Sequence, residues 1–330
     1  MKKLTLCIPT YNRKDSVVRL VNSITSSDLL DIADVIIVDD GSNDSTFNIL
    51  KDITSPFRGA VRLIRHDVNK GMAYGFLSFF DESHTEYLMM LADDDRVIPQ
   101  GVKGVLSFLE RIKPDFVSTS WLNNEASGGG LFRGRSREEL IQLTDIRHAA
   151  NHAPGLVYRL PVVLPDVVFL RQRLATGCYA SLIFPQVVLV LSLALRRNNC
   201  WWCPAAPGGY RNNGSKTSGL HDRDGNHWSS VMGRWNEQKA FAEIYSSLST
   251  KAPSANAKKA ADQLLILHNF EVFSRLKSGV AAERPNLVPI LNGASAYQNL
   301  RHSAMTITAL FKYLVKRLYC MYQLRDYDQG

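Results

Sequence analysis

Four times in roughly the first 120 residues a short apolar run ends in a polar cluster and gives way to a helix-like stretch. Leu4–Ile8 leads into Pro9-Thr10-Tyr11-Asn12-Arg13, after which Val17, Leu20, Val21 and Ile24 recur at helical spacing. Val35–Val38 leads into Asp39-Asp40-Gly41-Ser42-Asn43-Asp44 and a helix through Leu50, with Ser42 or Asp44 available as a cap. Val61–Ile64 leads into Arg65-His66-Asp67-Val68-Asn69-Lys70-Gly71 and a helix to about Phe80. Tyr87–Ala92 leads into Asp93-Asp94-Asp95 and a helix over Pro99–Ile112, and Phe116–Ser120 reads as a fifth strand. Strand–helix alternation of this kind predicts an α/β fold, a mostly parallel sheet flanked by helices. The polar clusters share one sheet edge in such a fold, so Pro9–Arg13, Asp39–Asp44, Asp67–Gly71 and Asp93–Asp95 should converge.

Asp93, Asp94 and Asp95 constrain the chemistry. Adjacent carboxylates repel one another, and burying them unpaired is costly, so positive charge should sit beside them. A hard divalent cation, Mg²⁺ or Mn²⁺, suits oxygen donors and keeps positions open for phosphate. The plainer alternative is a polar turn ahead of the Pro99 helix. The formal charge of +8 agrees with an anionic partner, such as a nucleotide or a membrane surface. No interleaved aromatic and basic patch or known module argues for nucleic acid. The five cysteines, Cys7, Cys178, Cys200, Cys203 and Cys320, are an odd set, and no apolar leader follows Met1-Lys2-Lys3. The expectation is reduced thiols in the cytoplasm.

Cys-Ile-Pro-Thr-Tyr-Asn-Arg, Val-Asp-Asp-Gly-Ser-Asn-Asp-Ser-Thr, Asn-Lys-Gly and Asp-Asp-Asp followed by Pro occur in that order. Together they resemble the family 2 glycosyltransferases of GT-A (Rossmann-like) fold. The resemblance implies a nucleotide-sugar donor, inversion at the anomeric centre, and Mg²⁺ or Mn²⁺ as cofactor. By motif, Pro9, Thr10, Tyr11 and Arg13 match the first donor loop, and Asp39 and Asp40 match the aspartates that bind base and ribose. Asp67, Asn69, Lys70 and Gly71 match the loop beneath the nucleotide, where Lys70 either screens phosphate or is a solvated charge. Asp93-Asp94-Asp95 falls on the Asp-x-Asp motif, shifted so that Ala92 replaces its first Asp. Asp94 is then the foremost metal ligand, with Asp93 and Asp95 beside it.

The family's Glu-Asp pair, which supplies the general base, is missing here. Asp166 is the nearest carboxylate candidate for that base, with His148 and His152 as others. Transferases that build bacterial lipopolysaccharide O-antigen carry an aromatic-Pro-Gln segment, and Phe184-Pro185-Gln186 resembles it. That implies a saccharide acceptor, lipid-linked, at the cytoplasmic face of the inner membrane.

Other segments carry weaker signals. Leu122–Arg137, rich in Gly and Ser, reads as a mobile loop, and Arg137–Ala150 as a helix. Leu156–Arg159 and Val162–Leu164 read as strands, and Tyr179–Arg197 as one helix. Cys200-Trp201-Trp202-Cys203 with His221 and His227 invites a zinc reading, although the gap is too long for a finger. Trp201 and Trp202 are core residues or sugar-stacking rings. Arg211 and Lys216 are candidates for diphosphate contact. The expected division is a catalytic domain over 1–215 and a helical region over 216–330. In the latter, Leu264, Leu265, Leu267, Phe270 and Phe273 form an apolar set. A last helix over Thr306–Leu324 has Lys312, Lys316 and Arg317 beside its apolar face, fit for anionic lipid or for a homo-oligomer contact. The rival readings are a GT-A-like nucleotide binder without turnover and a receiver-like Mg²⁺-binding module.

Overall fold

The computed structural model describes residues 2–123, 130–197, 199–210, 231–252, 254–266 and 268. The expected roles of Arg211, Lys216, His221, His227, Phe270, Phe273 and the Thr306–Leu324 helix lie outside them. The first elements are β1 (Leu4–Thr10), α1 (Lys14–Thr25), α2 (Leu29–Ile32), β2 (Ala33–Asp39), α3 (Thr46–Thr54), β3 (Val61–Arg65) and α4 (Met72–Glu82). Then come β4 (Tyr87–Met90), β5 (Arg96–Val97), α5 (Pro99–Ile112), β6 (Phe116–Thr119), β7 (Trp121–Leu122), β8 (Leu131–Arg133) and β9 (Glu139–Leu140). The rest are α6 (Ile146–Ala150), β10 (Leu156–Arg159), α7 (Leu160–Ala175), α8 (Tyr179–Ile183), α9 (Pro185–Arg196), β11 (Cys200–Cys203), β12 (Gly208–Gly209) and α10 (Val231–Thr250). The chain divides into two compact units, Met1–Ala240 and Phe241–Gly330.

The first unit is built on an eight-stranded sheet of order β3-β2-β1-β4-β10-β6-β11-β9. β1 pairs in parallel with both β2 and β4, and β2 with β3. These strands read as near-continuous apolar runs because helices cover both faces of the parallel part. α1 turns Val17, Leu20, Val21 and Ile24 onto one face of the sheet, all buried. Each such side chain contributes about 1.5–3 kcal/mol on burial. A charge at Val21 would be buried unpaired and would dislodge the helix. β10 runs antiparallel between β4 and β6, and β11 is parallel to β6. An antiparallel strand in the middle of an eight-stranded sheet excludes the receiver-like module.

A second, four-stranded sheet of order β5-β12-β7-β8 stands beside the first. It corrects the reading of Leu122–Arg137 as a loop, since Leu131–Arg133 is a strand paired with β7. Arg137–Ala150 is not one helix either. Its start pairs as β9 with β11, and only Ile146–Ala150 is α-helical. Val162–Leu164 lies in α7, whose turn begins at Pro161. The expected Tyr179–Arg197 helix breaks at Phe184, because Pro185 lacks the N–H that would continue it and opens α9 instead. In the second unit, residues 255–266 are helical. Phe241, Tyr245 and His268 pack ring against ring there, with centroids 5.3–6.2 Å apart. Among the described residues no helix is long and apolar enough to cross a membrane.

Candidate active site

Each of the first four strands ends within or just before its polar cluster, and the parallel register brings these ends to one edge of the sheet. Hydrogen bonds join the four loops in series. Thr10 Oγ1 donates to Asp93 Oδ2 at 2.8 Å, tying the first loop to the fourth. The Asn12 N–H donates to Ser42 Oγ and the Asn43 N–H to Asn12 Oδ1, both at 2.9 Å, tying the first loop to the second. The N–H groups of Lys70 and Gly71 donate to Asp40 Oδ1 and Oδ2 at 2.9 and 2.8 Å, tying the second to the third. Gly41, at φ +74°, makes that last contact possible. A Cβ there would stand 2.7 Å from the Val68 carbonyl carbon.

At the centre Arg13 Nη1 reaches Asp93 Oδ1 at 3.0 Å and Asp94 Oδ2 at 2.9 Å. One guanidinium thus spans two adjacent carboxylates and answers their mutual repulsion. Asp93 and Asp95 are buried, and Asp94 is the partly exposed member of the three. Burial pushes the Asp93 carboxyl up to about 6, against the pull of Arg13 and Thr10 in the other direction. Arg13 thereby offsets part of the cost of holding two adjacent carboxylates in a buried or half-buried place.

Asp39 and Asp40 are both buried. Asp40 acts inside the protein: besides the two loop N–H groups it accepts from His66 Nδ1 at 2.7 Å, and His66 Nε2 lies 3.0 Å from Ser78 Oγ on α4. Both its oxygens are therefore engaged in shaping the loop over residues 66–71. Nothing in the sequence marks His66 for this role, because a histidine after a strand carries no pattern of its own. Asp39 Oδ1 accepts from the Ser42 N–H at 3.3 Å, and Oδ2 lies 3.6 Å from Arg65 Nε. Pro9 and Thr10 close β1, and Tyr11 is exposed beyond it. Asp67, Asn69 and Lys70 are exposed, with Asn69 Oδ1 accepting from the Gly71 N–H at 2.9 Å.

Asp166 does not join this cluster. β10 runs antiparallel to β4, so Arg159 stands level with Tyr87, at the sheet edge away from Asp93. α7 starts there and carries Asp166 in its second turn. The side chain is buried, 2.5 Å from Arg196 Nη2 and 2.7 Å from Ser192 Oγ. A carboxylate held in an internal ion pair is not placed to take a proton from an acceptor. His148 packs against Trp202, in β11. Cys200 and Cys203 are three apart on a strand, so they face opposite sides and cannot close on one metal ion. Trp202 is buried in the core, and Trp201 packs edge-on against Phe108.

The aromatic residues near the acidic loop come from the small sheet instead. Phe132 of β8, Tyr210 directly after β12, and His152 stand edge to face, with centroids 4.8, 5.1 and 5.2 Å apart. Trp121 of β7 lies under His152 at 5.9 Å. Gly208 is required for this packing, since a Cβ there would meet the Trp121 ring at 2.4 Å. Tyr210 lies close enough to Asp95 and Asp94 for their charges, with burial the larger cause, to push its hydroxyl up to about 12. Beneath the rings Arg133 is buried and donates to the carbonyls of Thr119 (3.1 Å), Pro154 (2.7 Å) and His152. Burial and the adjacent Arg133 hold His152 down to about 3, so its ring is neutral and a poor base.

An eight-stranded, mostly parallel sheet flanked by helices, with acidic and basic loops gathered at the strand ends, is the GT-A fold of glycosyltransferases. Solved structures agree on the fold. The TarS 1-349 fragment of S. aureus in complex with UDP superimposes with a TM-score of 0.63, over 86% of this chain and 76% of that one, at 15% identity. Residues 5–159 match the family described as Glycosyl transferase family 2, and this part of the chain is a family 2 glycosyltransferase domain. Abequosyltransferase RfbV of Salmonella typhimurium is 25% identical over 108 residues, 32% of each chain. The GalNAc(5)-diNAcBac-PP-undecaprenol beta-1,3-glucosyltransferase of Campylobacter jejuni is 26% identical over 109 residues, 33% of this chain and 34% of that one. The chain thus spans about a third of the length of these curated relatives.

Proposed function

We propose that the protein transfers a sugar, with inversion, from a nucleotide-sugar donor to a saccharide acceptor in the synthesis of a bacterial surface polysaccharide. The observation that carries this reading is the joining of four strand-end loops in series at one sheet edge, with Asp93 and Asp94 bound to the first of them. A nucleoside diphosphate leaving group needs positive charge beside it, and this edge of the sheet supplies it. Arg13 is already in place, and Lys70 stands on the adjoining loop. Thr10 and Arg13 fix the carboxylates, and Asp40 with His66 fixes the loop that would carry the nucleoside. Asp39, at the end of the strand that leads into the second loop, is suited to contact base and ribose.

The donor set fits a hard divalent cation. Asp94, the partly exposed member, would hold Mg²⁺ or Mn²⁺ together with Asp95 or Asp93. Among the described residues no three acidic or histidine side chains gather as a closed metal site. When bound, such an ion stabilises the charge of the departing diphosphate as a Lewis acid.

The acceptor is lipid-linked on this reading, as the name of the Campylobacter relative says of that protein, and O-antigen assembly at the cytoplasmic face of the inner membrane is the setting. Peripheral attachment agrees with the net positive charge. The test is a panel of nucleotide sugars, read first by thermal stabilisation with and without Mn²⁺, then by transfer. Asp94→Ala should lower transfer by about 100-fold, the scale of removing one charge-stabilising group from a transfer site. A protein whose transfer ignores that substitution does not work as described.

A further inference from the structure

We propose that Phe132, His152 and Tyr210 form the acceptor subsite, a platform that takes the C–H face of a pyranose ring at the end of the acceptor saccharide. This rests on the donor reading above and adds to it the place and chemistry of the second substrate.

Phe132 is 49% exposed, although it belongs to a strand whose next residue, Arg133, is 6% exposed. A large apolar ring left open to water needs a reason, and here it stands with two more rings rather than alone. The three are locked edge to face with centroids no more than 5.2 Å apart, so their orientation is fixed before any ligand arrives. Trp121 supports His152 from below, and Arg133 holds the backbone on either side of it through the carbonyls of His152 and Pro154. Phe132 is the ring of the three that stands open to solvent, with His152 and Tyr210 part-buried beside it.

The chemistry of the surface selects its occupant. A pyranose offers a flat patch of C–H groups on one side and hydroxyls around its rim. The rings match the first, and the Tyr210 hydroxyl matches the second, while His152 Nδ1 is buried and takes no part. The His152 ring is uncharged at neutral pH, so an anionic group has no cation to seek there. A peptide or lipid tail would also cover rings, but neither uses carboxylates beside them. Tyr210 follows Gly209, which pairs with Arg96, the residue after Asp95, and this places the platform next to the site where the donor sugar must be released. A second saccharide is the substrate that has to meet the first at this point.

Saturation-transfer NMR on the full chain tests this, with methyl β-glucoside, methyl β-galactoside and methyl β-N-acetylglucosaminide as probes of the platform and UDP and GDP as probes of the donor loops. At least one glycoside should bind. Phe132→Ala should weaken it about fivefold or more, as expected for losing one stacked ring, and Phe132→Trp should restore it. Val168→Ala, at an exposed position on α7, should change nothing. Melting curves show whether each variant is folded. The proposal is overturned if no glycoside binds, if Phe132→Ala binds as the parent does, or if it loses nucleotide and glycoside together. If the glycoside binds through Phe132 while neither nucleotide binds, the saccharide platform stands and the donor reading is what fails.

Discussion

The donor loops take their residues from the few positions that follow each strand, whereas the aromatic platform is assembled from chain segments around Trp121, Phe132, His152 and Tyr210 that meet only in the small sheet. In the first case the parallel register does the work: once β1, β2, β3 and β4 lie side by side, Thr10, Asp40, Gly71 and Asp93 have little choice of neighbours. In the second, β12 must return from the far end of the domain to pair with β5 and β7 before Tyr210 can meet Phe132. The two also differ electrically. The donor side is a group of carboxylates held by a guanidinium, and the platform side is a set of neutral rings over a buried guanidinium that is bound only by carbonyls. The donor side should therefore answer to ions, and the platform side to changes in packing.

Replacing Arg133 should have the largest effect. Arg133→Met keeps the volume and removes the donors, leaving the carbonyls of Thr119, His152 and Pro154 without them. Each unmet buried acceptor costs on the order of 1–3 kcal/mol, and relief of the buried charge offsets part of that. Burial already draws the Arg133 guanidinium down to about 10, which shows how strongly the site resists the charge. A net loss of about 2 kcal/mol is expected from chemical denaturation, with weaker glycoside binding beside it. Unchanged stability would mean that the platform's frame is held by something else, and the contrast between the two regions would lose its basis.

Arg13 gives the matching change on the donor side. Its guanidinium sits between the carboxylates that a divalent cation would use, so the two compete for Asp93 and Asp94. Arg13→Ala should raise Mn²⁺ affinity in the absence of nucleotide by up to about tenfold, a difference of about 1.4 kcal/mol. Electron paramagnetic resonance of free Mn²⁺ at about pH 8, where Asp93 is ionised, measures it directly. An affinity that falls would show that Arg13 prepares the carboxylates for the ion and does not stand in its place.

The same contrast explains what could be read from the chain. The strands, the α1, α4 and α5 helices and the convergence of four loops follow from period and from where polar residues begin, and these are local signals. The partners inside the site do not. Nothing near Asp40 in the sequence says that His66 and two backbone N–H groups will occupy its oxygens, which makes it a brace for the next loop. Asp166 is a candidate in the sequence only as the nearest carboxylate to the missing Glu-Asp pair. It is held by Arg196, thirty positions later, and only packing α7 on α9 brings the two together. Phe132 and Tyr210 sit in stretches rich in Gly, Ser and Asn, where composition suggests loops. The strands there are two or three residues long, too short for any alternation to show.

The smallest effect, and the finest test of the platform, is its response to acid. His152 titrates near 3 in the folded protein against an ordinary 6.5, chiefly through burial and then through Arg133. The folded state therefore binds fewer protons at this ring than the unfolded chain does between those two values. Stability from this group is complete above about pH 6.5 and is lost progressively as the pH falls from there toward 3. His152→Phe keeps a ring and removes the titration, so the variant should lose less stability than the parent over that window, with the two curves parallel above about pH 7. Glycoside binding should meanwhile stay level between about pH 5 and 8, because no ring of the platform changes charge there. A binding curve that bends near 6.5 would show that His152 is exposed to protons like a surface histidine, which Trp121 beneath it and Phe132 and Tyr210 beside it should prevent.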